Sequence, residues 1–251
     1  MTADTQATKP HVLIVGATSD IALELARQMA ADGHGIYLAA RDVQRLEADR
    51  TDIGLRHHVP VELVEMDVTQ TGTLKAKLYA LDPKPHIIVS MVGWMGEQSE
   101  QEKDVDQAAR IIAANFTGPA ALMEAGASLF ATIDAPTTLV GVSSVAGDRG
   151  RARNYYYGAA KGGFTAMLSG LRQRLSRTKT RVITVKPGFV ATRMTEGMDL
   201  PGPLVDSADT SAKMIHRAIR KGRDIVYPWK WRLLMTAIRG VPEPLFKKMR
   251  F

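Results

Sequence analysis

Apolar residues along this chain fall in short continuous runs separated by longer stretches with helical spacing. The runs are His11 to Val15, Gly35 to Ala39, Val61 to Met66, Ile87 to Met91, Thr137 to Val142, Arg181 to Val185 and Asp224 to Tyr227, and each predicts a β-strand. Between them, Ile21, Leu25 and Met29 share a helical face closed by Gly33, and Leu168, Leu171 and Leu175 share another after Tyr157. Strands that are apolar throughout must be buried on both faces. Their alternation with helices implies an α/β architecture, a doubly wound seven-stranded parallel sheet with helices on both sides. Ligands of such sheets bind beyond the carboxyl ends of the strands. No repeat or linker divides the chain, so a single domain is expected over 11–228. Residues 1–10 read as a flexible tail, and 229–251 as a basic, apolar segment packed on that domain or at an interface.

Composition narrows the classes. Of 251 residues 45% are hydrophobic and 24% charged, with 21 Gly, 12 Pro and no Cys, which excludes disordered, collagen-like and disulfide-framed chains. The missing Cys removes thiolate metal sites and cysteine nucleophiles and fits a reducing cytoplasm. The six His residues show no metal-ligand spacing, so no metal is expected. The first ten residues lack a basic start and apolar run, so no secretory signal is expected. No stretch reaches the roughly 18 apolar residues of a membrane-spanning helix.

The net charge of +7 is concentrated at one end. From Lys213 onward 11 Lys/Arg face only Asp224 and Glu243, a local +9 against −2 for the other 212 residues. That placement argues against nucleic acid and leaves two readings, a local anionic partner or a solvated basic tail.

Candidate chemistry begins where the first strand meets Gly16-Ala17-Thr18-Ser19-Asp20-Ile21-Ala22. A tight turn opening a helix offers free N–H groups and a positive dipole end to a diphosphate. Of the three-glycine dinucleotide fingerprint only Gly16 remains, with Asp20 and Ala22 in the other places. Asp20 reads equally as a helix N-cap. The second strand ends Ala40-Arg41, where an Arg suits the extra phosphate of NADP and an acid would suit NAD. A solvated helix-start role for Arg41 is the alternative. Tyr157 and Lys161, four apart, share a helical face, so the ammonium is expected near the phenol, lowering its pKa and fitting it to proton transfer. Ser144 lies 13 residues upstream, just past a strand end, where it can hydrogen-bond a substrate oxygen.

With these motifs the chain resembles the short-chain dehydrogenase/reductase family over nearly its whole length. The resemblance implies a Rossmann fold, Tyr157 as proton donor or acceptor, Ser144 holding the substrate oxygen, and Lys161 on the nicotinamide ribose. It implies further that Asn115, in Asn115-Phe116-Thr117-Gly118, supports a water-mediated proton relay, and that Asp67 and Val68 contact adenine. Pro187, Gly188, Val190 and Thr192 match the loop holding the carboxamide. The family's Asn-Asn-Ala-Gly element is reduced to Ser90-Met91-Val92-Gly93, keeping only Gly93 for the cofactor. Within the family the chain looks most like decaprenyl-phosphoryl keto-ribose reductases, which implies a bulky, lipid-linked ketone or alcohol. Soluble carbonyl or ketoacyl substrates, or an NADP-binding membrane scaffold without turnover, are the alternatives. By the same analogy a homodimer or homotetramer is expected.

The carboxyl end adds Trp229, Lys230, Trp231, Arg232, Leu233 and Leu234, then Lys247 and Lys248. This is the composition of a helix lying at an anionic membrane surface, which would put the protein peripherally at the inner face; the alternative is that the apolar residues cap the core or an interface. The loop from Arg193 to Val205, with Met194, Met198, Leu200, Pro201 and Pro203, falls where a substrate lid is expected.

Overall fold

Seven β-strands in one all-parallel sheet form the frame of the computed structural model, which describes residues 9–197 and 200–249. In chain order the elements are β1 (Lys9–Val15), α1 (Asp20–Ala31), β2 (His34–Ala40), α2 (Glu47–His57), β3 (Val61–Glu65), α3 (Thr71–Ala80), β4 (Ile87–Ser90), α4 (Gln98–Gln101) and α5 (Val105–Ile112). They continue with α6 (Gly118–Phe130), β5 (Thr137–Val142), α7 (Tyr155–Leu175), β6 (Thr180–Val185), β7 (Phe189–Ala191), β8 (Val205–Ser207), α8 (Ala208–Lys221), β9 (Ile225–Val226), α9 (Trp229–Gly240) and α10 (Glu243–Phe246). The sheet order is β3-β2-β1-β4-β5-β6-β9, while β7 and β8 form a separate parallel pair. The order reverses between β1 and β4, and a crevice opens there at the carboxyl ends.

The alternation of side chains across each strand explains the apolar runs. Val12 and Ile14 face one core with Leu25, Ile53 and Ile215, while Leu13 and Val15 face the other with Leu74, Leu122 and Phe164. A single run thus fills two cores, the requirement of a sheet covered on both sides. The doubly wound α/β Rossmann expectation is met.

Two boundaries differ. Lys9 and Pro10 belong to β1 rather than to a tail, because Lys9 donates to the Gly33 carbonyl at 3.0 Å and pairs with His34. Residues 1–8 lie outside the described residues. At the far edge the ladder keeps only Ile225 and Val226 of the run Asp224 to Tyr227.

The chain from 229 onward folds back on the domain. Trp231, Met235 and Ile238 of α9 are buried with Val145, and Phe189, Leu204 and Tyr227 pack around them. The Trp231 indole donates from Nε1 to the Leu204 carbonyl at 3.0 Å and meets the Phe189 ring edge-on at 5.0 Å. This corrects the membrane reading for one of the two indoles: Trp231 is 3% exposed, whereas Trp229 is 69% and Leu233 65% exposed. The periodicity of α9 sorts them, since residues 231, 235 and 238 share one face and 229 and 233 the opposite one.

Candidate active site

The turn after β1 is held against β2, with both Gly16 N–H and Ala17 N–H donating to the Ala39 carbonyl. Gly16 has φ +85°, and a Cβ there would stand 3.0 Å from the Met91 and Val92 backbone, so no other residue suits the position. The N-cap position of α1 is filled by Ser19, not Asp20, and its side chain makes no capping bond. The first amides of α1 therefore keep their usual unmet donors, a fit for a diphosphate near Thr18, Ser19 and Ile21.

Asp20 turns outward from the helix start. Its Oδ2 accepts from the Arg193 backbone N–H at 3.1 Å and its Oδ1 from Arg193 Nε at 3.0 Å, while Arg193 Nη2 also donates to the Thr18 carbonyl. The Arg193 guanidinium thus neutralises a carboxylate that would otherwise repel a diphosphate. It also ties the loop after β7 to the turn after β1.

Arg41 is exposed at the end of β2 and makes no side-chain hydrogen bond or ion pair among the described residues. Just past β3, Asp67 Oδ1 accepts from Thr69 N at 2.9 Å and Thr69 Oγ1 at 2.7 Å, and Val68 is buried against Gly118.

The polar center lies beyond β4 and β5. Lys161 is 2% exposed and donates to the carbonyls of Val92 at 3.0 Å and Val142 at 3.1 Å, which leaves one of its three donors free. Burial pulls its pKa down to about 7. Its Nζ stands 5.7 Å from the center of the Tyr157 ring. Ser144 begins a short turn in which its Oγ accepts from Ala146 N at 3.1 Å, so its hydroxyl proton is available to another oxygen. Gly147 and Gly162 make the approach of that turn to α7 possible: a Cβ on Gly147 would stand 2.6 Å from Gly162 N. Those glycines bring Ser144 beside Tyr157.

Asn115 is fully buried in a π-turn, residues 113–117, that interrupts the run of α5 into α6. Such widened turns recur at functional sites. Both of its amide hydrogens are used, Nδ2 donating to Trp94 O at 2.6 Å and Ile111 O at 3.0 Å, while Oδ1 accepts from Trp94 N at 3.1 Å. It clamps the segment at Gly93, where a Cβ would lie 3.5 Å from Lys161 Nζ.

Facing this center is the loop after β6. The Pro187 carbonyl accepts from Val145 N at 3.0 Å, Gly188 lies against Trp231, Val190 is buried, and Thr192 Oγ1 donates to the Val190 carbonyl at 3.3 Å. An open cleft of about 630 Å³ lies beyond it, lined by residues that include Thr192, Arg193, Glu196, Leu200 and Val205. Met194 reaches from this loop toward Gly93; Met198 lies outside the described residues.

One expectation is reversed. The pKa of Tyr157 is raised, not lowered: burial dominates, and a hydrogen bond from Ser144 and the charge of Arg151 only partly oppose it. Arg151 escaped the sequence reading, as did Arg193. The first sits in Gly150-Arg151-Ala152-Arg153 between the two motifs, where a cluster of Arg in a six-residue connection was the available signal. The second is 173 residues from its partner, and no local pattern announces that pair.

Residues 10–200 match the family model described as short chain dehydrogenase. An uncharacterized oxidoreductase of Mycobacterium tuberculosis is 34% identical over 242 residues, covering 95% of this chain and 96% of the relative. Among solved structures, a short chain dehydrogenase from Burkholderia cenocepacia in complex with NADP superposes with TM-score 0.81 at 19% identity, covering 97% and 98% of the two chains. A 3-oxoacyl-[acyl-carrier protein] reductase from Brucella melitensis in complex with NAD does so with TM-score 0.74 at 21% identity, covering 88% and 96%. The sequence matches and the sheet order agree, and the chain belongs to the short-chain dehydrogenase/reductase family of oxidoreductases.

Proposed function

We propose that the chain is an NADP(H)-dependent oxidoreductase that interconverts a secondary alcohol and a ketone, with Tyr157 as the general acid and base. The observation that carries this reading is the convergence of Ser144, Tyr157 and the buried Lys161 just past β4 and β5, Lys161 held by the Val92 and Val142 carbonyls with its Nζ 5.7 Å from the center of the Tyr157 ring. The bound nicotinamide would supply or accept the hydride. Tyr157, kept protonated by burial, is a ready donor to a carbonyl oxygen that gains electrons. Ser144 spends its acceptor on Ala146 N and its proton on the same oxygen, fixing the carbonyl in line. Lys161 holds its position through two carbonyls and offers its remaining donor to the ribose. With a pKa near neutrality it can pass a proton toward Tyr157 between turnovers. Asn115 is a positioning residue, since its amide is occupied in holding Trp94 and Gly93. The half-open cleft and the loop from Arg193 supports a sizeable substrate.

NADP rather than NAD is proposed from Arg41, a cation without a side-chain partner among the described residues, at the strand end where the adenosine ribose is expected. Tyr157→Phe is the test: it should remove turnover while NADPH affinity stays within about twofold. A variant that turns over at the wild-type rate contradicts the assignment.

A further inference from the structure

The turn that carries Ser144 ends in a buried ionic network that the proposed reaction does not use. Asp148 closes that turn, Lys186 stands between β6 and Pro187, and Tyr227 follows β9. Lys186 Nζ donates to one Asp148 oxygen and the Tyr227 hydroxyl donates to the other. The Asp148 side chain is 5% exposed and that of Lys186 13%, and the ammonium also lies 5.5 Å from the center of the Tyr227 ring. Burial, reinforced by the neighbouring carboxylate, pushes the Tyr227 phenol above the ordinary tyrosine range and keeps it a donor.

Stability is a poor reason for such a group, because well-packed apolar residues in place of a buried ion pair are often neutral or stabilising. Its geometry offers a better one. The Ser144 turn is bound to the chain after β6 at its start, where Val145 N donates to the Pro187 carbonyl at 3.0 Å, and again at its end, where Asp148 accepts from Lys186. A single bond is a pivot, whereas two at opposite ends of a turn fix its orientation. Lys186 is itself anchored, its N–H donating to the Val226 carbonyl at 2.8 Å, and Tyr227 adds a third point from the same edge of the sheet. Arg149, next in the chain, holds the Ile238 and Val241 carbonyls at 2.6 Å and so anchors the end of α9 instead. Ser144 heads the turn, and the loop expected at the nicotinamide begins at Pro187.

We propose that Asp148 is a positioning residue: by gripping Lys186 and Tyr227 it fixes the Ser144 turn against the loop from Pro187, and so aligns the substrate oxygen with the nicotinamide. The inference rests on the proposed reaction for what is aligned, and not for the grip itself.

The test compares Asp148→Asn, Lys186→Met and the double variant Asp148→Asn/Lys186→Met, using a ketone that the wild type reduces with NADPH. Each single change leaves a buried charge unpaired, whereas the double leaves none, so urea unfolding should show the double more stable than either single variant. In the double, kcat should nonetheless fall by about tenfold to a hundredfold while KM for the ketone stays within about threefold, because alignment is lost and binding is not. A double variant that turns over at the wild-type rate makes the network a matter of stability alone and overturns the proposal, as does a rise in KM with kcat unchanged. If the double does not fold, Tyr227→Phe decides, since it removes one grip and keeps the ion pair: a lower kcat at unchanged KM supports the proposal and a wild-type kcat overturns it. A wild type that reduces no ketone ends the enzymatic reading, and the nicotinamide fluorescence of bound NADPH then tests Asp148 separately. Emission per bound molecule should change in the double variant, while the Kd of 2′-phospho-ADP-ribose, which lacks the nicotinamide, should not. Unchanged emission, or a wild type that binds no NADPH, overturns the proposal.

Discussion

Replacing Trp231 by Ala should destabilise the whole domain, whereas the same change at Trp229, two residues away, should be nearly silent. Trp231 is 3% exposed, and a buried indole removes about 150–250 Å² from water, worth roughly 4–6 kcal/mol at about 25 cal/mol per Å². Partial collapse of the site lowers the expected loss to about 3–5 kcal/mol, the usual range for a buried Trp truncated to Ala. The bond to the Leu204 carbonyl contributes little of this, because that residue lies near water and can be rehydrated. Trp229 is 69% exposed and should cost no more than about 0.5 kcal/mol. For a domain of this size the difference is roughly 6–20 °C in Tm. Urea unfolding followed by far-ultraviolet circular dichroism, with the two single variants side by side, measures it. Equal losses for the two, or a loss under about 1 kcal/mol at Trp231, would refute the packing argument and return both indoles to a surface role. Gly188 offers an independent probe of the same contact, since a Cβ there would stand 1.8 Å from Trp231 Nε1.

The site gives further expectations. Arg41→Ala should lower NADPH affinity about tenfold or more and leave NADH affinity unchanged, because a charge-assisted phosphate contact contributes roughly 1.5–3 kcal/mol; equal dissociation constants for the two cofactors in the unmodified protein end that reading. Lys161 links stability to pH. Its folded pKa of about 7 lies below the unfolded value, so from pH 7 up to about 10 the unfolded chain holds a proton that the folded chain lacks, and stability rises with pH by up to about 1.4 kcal/mol per unit. Below pH 7 the full penalty is present. The difference in unfolding free energy between wild type and Lys161→Met should therefore climb with pH across that window in the cofactor-free protein, and a flat difference contradicts the buried-ammonium picture.

How much of this was legible in the sequence varies with the range of the interactions. Strand positions were readable because a run such as Val12 to Val15 must serve two cores at once, and that demand leaves an unbroken apolar signature. Lys9 and Pro10 were lost to the tail because an exposed strand start carries no such signature. Tyr157 and Lys161 could be paired from their spacing alone, since four residues on a helix fix a shared face. The sign of the Tyr157 shift could not, because it depends on how far the surrounding loops exclude water. The Asp20–Arg193 pair and the assignment of Trp231 to the core both join residues distant in sequence, one across 173 positions and the other across 27 to Leu204. Neither leaves a local pattern.

The central claim is that this site moves a hydride under the control of Tyr157. The most direct measurement supplies NADPH deuterated at the transferable position of the nicotinamide, with a panel of ketones, and follows deuterium into the carbinol carbon by mass spectrometry. The account predicts label in the alcohol from at least one ketone with the wild type, and loss of that transfer by a factor of about a hundred or more in Tyr157→Phe. Label transfer by the Phe variant at the wild-type rate, or none from any ketone by a wild type saturated with NADPH, would contradict it.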